Sequence, residues 1–136
     1  MLEQLERPTP RLNESAPLTS LNDEERAALA RLLDTLDEFR LMRATMSIHE
    51  LSAFIRVGLD EGNNVKHYAQ VSGVHPSLMS KHLSDLGVKA RNGEQGLNLV
   101  EPRKHHTNLR DNAMVLTVKG RALLHKMAKR LSKSFS

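Results

Sequence analysis

The chain has no cysteine and no tryptophan, and its few phenylalanines and one tyrosine make up only 3% of 136 residues. Without thiols it can form no disulfide, no thiolate metal site and no thiol-based redox switch. With so few aromatics, a core has to come from the Leu, Val, Ile, Met and Ala within a 39% hydrophobic fraction. No run approaches the ~18 consecutive apolar residues of a membrane span. The opening stretch MLEQLERPTPRLNESAP carries acids and prolines where a secretory leader needs an apolar run. A cytoplasmic protein with no membrane partner is expected. Also missing are a glycine-rich phosphate loop, a nucleophile beside a placed base, and paired carboxylates in a credible cleft. The sequence therefore reads as a non-enzyme with no cofactor.

What is present is a charge split. Residues 1–64 hold 7 Lys/Arg against 12 Asp/Glu, a net of −5, whereas residues 65–136 hold 13 against 4, a net of +9. Six of the seven histidines also lie in the second half. A segregated positive field suits a polyanion, because Lys and Arg displace the counterions condensed on phosphate.

Residues 1–20 read as a flexible tail, broken by Pro8, Pro10 and Pro17 and without apolar periodicity. The remaining 21–136 read as one domain. Its first helix is expected over 22–45, with Asn22 as N-cap and Asp23, Glu24 and Glu25 in the first turn. Leu29, Leu32, Leu33, Leu36, Phe39 and Met46 recur at helical spacing. That stripe is longer than a small domain can cover, so part of it is expected to face a second subunit. Ser47-Ile48-His49-Glu50 is a capping box, and Met46 with Leu51 forms a hydrophobic staple. The helix it starts is expected to bury Ile48, Leu51, Phe54, Ile55 and Leu59 and to end at the turn formers 60–64.

The stretch 65–86 fits a helix-turn-helix. Such a unit needs a small residue where the helices cross, Gly at the turn, and an apolar inner face on the second helix. Ala69, Gly73, then Met79, Leu83 and Leu86 meet those needs in order, and Pro76 suits a first helical turn. On a helical wheel Ser77, Lys81 and Ser84 point away from the apolar face, with Leu78 and Ser80 on its flanks. Small hydroxyls and one Lys are what a helix in the major groove can use. Lys66 and His75 join them as candidate DNA contacts, while His82, beside the apolar face, reads as structural.

A polar link after Gly87 leads into a hairpin expected over Leu97 to Lys104 and Asn112 to Thr117, the second strand half-buried by alternation. Its turn offers His105, His106, Asn108 and Arg110 to phosphate or a narrow minor groove. The last helix is expected over 117–132, with Thr117 as N-cap and Leu124, Met127 and Leu131 as its stripe. The fold class is thus mainly α with a small β-hairpin, a winged helix-turn-helix.

This order of elements, with Leu116-Thr117-Val118-Lys119-Gly120 at the strand-to-helix junction, resembles the MarR family of transcriptional regulators. The string 76–83, Pro-Ser-Leu-Met-Ser-Lys-His-Leu, is similar to the family's recognition-helix pattern. The resemblance implies that Ser77, Leu78, Ser80 and Lys81 face DNA and that Arg110 fills the slot of the wing Arg. Asn108 stands where the family commonly has Asp, and the link into the wing is longer than usual. It further implies a homodimer formed by the first and last helices, a DNA-binding core over 47–117, a palindromic double-stranded site and a small-molecule effector. The expected function is sequence-specific regulation as a repressor, with helix 76–86 in the major groove and the wing 105–112 at the minor groove. Two alternatives stand beside it: a winged-helix adaptor for another protein, and a metal-responsive regulator using the paired His105 and His106. The second has no HxxxH or HExxH spacing to support it.

Overall fold

Local side chains decide where the helices begin. In a computed structural model that describes residues 20–88, 95–104 and 112–132, the Asn22 side chain accepts the Glu25 N–H at 2.8 Å. Glu25 returns the bond to the Asn22 N–H at 2.9 Å. This box starts α1, Asp23–Met42, which stops three residues short of the expected Thr45 because Arg43 is already extended at φ −158°. The Ser47–Glu50 box, 3.1 Å each way, starts α2, Ile48–Leu59. Met46 and Leu51 pack partly buried on the core beneath it, as the staple requires.

Ile48 and Leu59 do not belong to the core: both are exposed. The buried face of α2 is Glu50, Ala53, Phe54 and Val57, an i, i+3, i+4, i+7 set. At about 100° per residue Ile48 and Leu59 lie on the opposite side of it.

Asn64 caps α3, Val65–Ser72, by accepting the His67 N–H at 2.9 Å. Gly73 closes it at φ 69°, a left-handed conformation that costs Gly little. Three residues later Pro76 opens α4, Pro76–Leu86. Ala69 is buried at the crossing, and Met79, Leu83 and Leu86 face inward, as the spacing predicts.

The hairpin pairs β1, Val100–Lys104, with β2, Asn112–Leu116, antiparallel from Val100 opposite Leu116 to Lys104 opposite Asn112. The first strand starts three residues later than expected, because residues 97–99 have another role. Their N–H groups go to the Asp85, Gly87 and Leu86 carbonyls at 3.1, 2.8 and 2.7 Å, and so satisfy the end of α4. The second strand is buried at every residue from Ala113 to Leu116, not at alternate ones. It runs between β1 and the α2–α3 loop, where Gly62 and Asn63 exchange 2.8 Å bonds with Met114, and α2, α3 and the last helix pack on it.

That last helix, α5, spans Val118–Ser132. Thr117 starts it: its hydroxyl donates to the Asn98 carbonyl at 2.7 Å and accepts the Gly120 N–H at 2.9 Å. Leu123 and Met127 form its buried face, Leu124 is partly buried, and Leu131 is exposed, so the expected stripe is rotated by one residue at its start. Glu38 of α1 receives Lys126 at 2.9 Å and Arg130 at 2.8 Å, which ties the first helix to the last. No helix among the described residues is long and apolar enough to cross a membrane.

Candidate nucleic-acid interface

Helix α4 presents its polar side chains from a well-determined start. His75 is its N-cap: Nδ1 accepts the Ser77 N–H at 3.1 Å, so that nitrogen carries no proton. The Ser77 hydroxyl, 2.8 Å from the same Nδ1, must then be the donor. Ser77 is left with lone pairs to offer, and His75 with an N–H at Nε2.

Ser77, Leu78 and Lys81 are exposed. Lys81 is not free, since its Nζ lies 3.2 Å from Asp85 Oδ2 one turn further along. Ser80 and Ser84 are half-buried and turn toward the hairpin. There they line a groove of about 320 Å³ between α4 and the strands, with Val65, Leu83, Val100 and Pro102 among its walls. Lys66 is exposed at the start of α3. His105, His106, Asn108 and Arg110 lie outside the described residues, as does the 89–94 link.

The basic half of the sequence is less available than its +9 suggests. Lys126 and Arg130 are paired with Glu38. Arg121 makes two 2.8 Å bonds to Glu61, and Lys119 donates to the Leu97 carbonyl at 3.1 Å. These four cations hold α5 against α1, the α2–α3 loop and the segment that closes α4. Their partners bring each carboxylate below its usual pKa: Glu38 through Lys126 and then Arg130, Glu61 through Arg121 and then the Leu116 N–H.

A second set of charges lies behind α4, on its contact with α2, and no sequence pattern announces it. Glu50, 6% exposed, meets Asp85 there. Burial first, and Asp85 second, raise the Glu50 pKa and so favour its protonated form, whose O–H can donate to Asp85. Asp85 is raised by burial, but the bonds from Glu50 and Lys81 outweigh that and leave it below its ordinary value. Beside this pair His82 stacks on His49, ring centres 5.9 Å apart and 12° from parallel. His82 is buried, as expected of a structural residue. The signals were a capping glutamate and the single acid of α4, which no local rule brings together. Among the described residues no three His, Cys, Asp or Glu converge to hold a metal.

No family model matches the sequence, and no curated protein matches it. Solved structures do match in fold. FabT of Streptococcus pneumoniae, in complex with DNA, is 21% identical with a TM-score of 0.53, over 80% of this chain and 74% of that one. The transcriptional repressor CouR, bound to a 23-mer DNA duplex, is 21% identical at TM-score 0.53, over 85% and 82%. CouR from Rhodococcus jostii RHA1 is also known bound to p-coumaroyl-CoA. A MarR-like regulator from Thermotoga maritima is 19% identical at TM-score 0.54, over 84% and 78%. At these identities the likeness establishes the fold: among the described residues, five helices and a two-stranded wing arranged as in MarR-like transcriptional regulators.

Proposed function

We infer, from a winged-helix fold shared with MarR-like transcriptional regulators, that this chain is a DNA-binding regulator acting as a homodimer and repressor on palindromic double-stranded DNA. The observation that carries the reading is α4. Its inner face is fixed by Met79, Leu83 and Leu86, while Ser77, Leu78 and Lys81 are left exposed beyond a capped first turn. In the proposed docking this helix enters the major groove. Ser77 meets a base, Lys81 meets a base or phosphate, Leu78 meets a thymine methyl, and Lys66 and His75 meet the backbone. Ser80 and Ser84 sit closer to the wing and contact DNA only at the groove edge. The wing, with His105, His106, Asn108 and Arg110, is assigned to the minor groove.

The dimer reading is supported by α1. Leu29, Leu32, Leu33 and Leu36 form one exposed stripe of four leucines, with Leu131 of α5 also exposed. A face this apolar is usually covered in a functional assembly. The neighbours that hold DNA, and CouR with its coenzyme A thioester, support an effector-controlled regulator of cytoplasmic DNA.

The test is selection of bound duplexes from a random pool by the full chain, followed by gel-shift across salt. A palindrome with half-sites about 10 bp apart, and affinity falling steeply with salt, is the expected result. No enrichment and no salt-dependent binding would point instead to an adaptor that uses the same helix on a protein.

A further inference from the structure

We propose that the contact between α2 and α4 is a proton-operated latch on the DNA-facing helix, closed while His82 is neutral and released when its ring becomes an imidazolium. The geometry carries the argument. His82 is 7% exposed, and neither Nδ1 nor Nε2 has a hydrogen-bond partner. Its ring is pressed against His49 at 5.9 Å, in the layer that also holds Met79, Leu83 and Leu86. A neutral imidazole survives there with one N–H donor and one lone pair unmet. An imidazolium would be a buried cation with two N–H donors and nothing to receive them, which is far less tolerable.

The surrounding charges do not rescue it. From α2 come His49, itself titratable, and Glu50, whose carboxyl is engaged with Asp85 and the Ser47 N–H. From α4 come Lys81, already positive, and Asp85, the one nearby carboxylate, which is held by Lys81 and Glu50. Arg43, from the α1–α2 turn, adds positive field at Glu50 and Asp85. Helix α3 also packs on α4, but no charge of its described residues is among those acting on His82.

The sign follows. Burial first, then His49 and Lys81, hold His82 below its ordinary 6.5 against a weaker opposing pull from Asp85. The closed contact therefore binds fewer protons than the open one. Its stability is complete above about pH 6.5 and is lost as the pH falls through the lowered value. Release by acid would weaken DNA binding. That is opposite to protonating exposed histidines beside phosphate, which strengthens it. Only this last consequence rests on the DNA reading.

The experiment follows amide hydrogen exchange of α4 in the full, DNA-free chain between about pH 7.5 and about pH 5.5, corrected for intrinsic rates. His82→Leu, apolar and without a titrating group, is the comparison. The native chain should show α4 amides opening more in acid, by about tenfold for each pH unit between 6.5 and the lowered value, and levelling off beneath it. His82→Leu should show no such opening in acid. Parallel profiles for the two chains would overturn the latch. If His82→Leu does not fold, the ring titration of His82 in the native chain decides. A titration below 6.5 that coincides with α4 opening supports the proposal, and one at or above 6.5, or α4 protection that ignores it, overturns it. Gel-shift on mixed-sequence DNA over the same range adds the functional arm. Acid should weaken the native chain relative to His82→Leu. Absence of DNA binding at every pH would count against the DNA reading alone, with the exchange result still deciding the latch.

Discussion

Glu61 and Arg121, 60 residues apart in sequence, join the helix-turn-helix to the last helix through two parallel 2.8 Å bonds. The same Glu61 oxygen that binds Arg121 Nη2 accepts the Leu116 N–H at 2.9 Å. One carboxylate thus completes the edge of β2, and Arg121 holds it there. Through the Gly62–Asn63–Met114 bonds beside it, the loop that leads into α3 becomes a third rung of the wing.

From this joint comes a difference between two substitutions. Glu61→Ala leaves the N–H of buried Leu116 without an acceptor and should cost about 1–2 kcal/mol in urea unfolding. Arg121→Ala removes an exposed partner but leaves the Leu116 bond, and should cost distinctly less. Because Glu61 titrates below its ordinary 4.5, its contribution is intact above that pH and is lost as the pH falls through the lowered value. Native and Glu61→Ala stabilities should converge in acid.

Gly120 has a steric role. A Cβ there would collide with the Leu99 carbonyl oxygen, a backbone atom that also accepts the Thr117 N–H at 3.1 Å. Gly120→Ala should destabilise by about 2 kcal/mol or more, since α5 must back away from the chain that closes α4. Gly58→Ala gives the contrast. Its Cβ would meet only the end of the Leu124 side chain, which can rotate, so thermal unfolding should show a smaller loss.

These two sites mark the limit of what the sequence reveals. The Asn22 cap, the Ser47 box and the Ala69–Gly73–Met79 spacing depend on residues within one or two turns of each other, and all are found where the pattern puts them. Leu97 and Leu99 alternate like a strand but are drawn off by the open carbonyls at the end of α4, a demand no local pattern records. Ile48 and Leu59 are apolar enough for a core, yet their angular position on α2 leaves them outside it. The charge split was legible as a sum. That Lys119, Arg121, Lys126 and Arg130 serve internal joints was not, because each partner is at least 22 residues away. The wing tip falls outside the described residues, so Arg110 stands as the resemblance has it.

Glu50→Gln tests the carboxyl pair. Glutamine at the third helical position can keep the capping box and can donate to Asp85 without holding a proton. Glu50 is raised above its ordinary 4.5, so its favourable contribution is present below that pH and is lost as the pH rises through the raised value. Above the raised value the variant should be more stable, by about 1 kcal/mol for the restored bond. The gain should vanish below about pH 4, where the native carboxyl is fully protonated. A thermal unfolding series against pH reads both ends.

Leu33, 57% exposed in the middle of the α1 stripe, tests the dimer. Leu33→Glu removes little from the core of one chain but puts a charge on the face proposed to meet a second copy. Sedimentation should find the native chain as a dimer and the variant as a monomer of unchanged helicity, with palindrome affinity reduced more than half-site affinity. A native chain that sediments as a monomer at working concentrations would remove this interface from the reading.

Ser77 makes the finest demand on the DNA reading. Its hydroxyl proton is directed at His75 Nδ1, so its oxygen can only accept, and it suits an amino group: N6 of adenine or N4 of cytosine. Phosphate, an acceptor, would gain nothing from it. Ser77→Ala should therefore relax selection at one base pair of each half-site by about 1 kcal/mol while leaving the salt slope unchanged. His75→Ala should do more, because it frees the Ser77 proton and also removes the helix cap, a loss of about 1 kcal/mol in stability. His75→Asn restores a capping oxygen and should recover the stability. Full recovery of base selection as well would show that the cap alone matters and that the direction of the Ser77 proton does not.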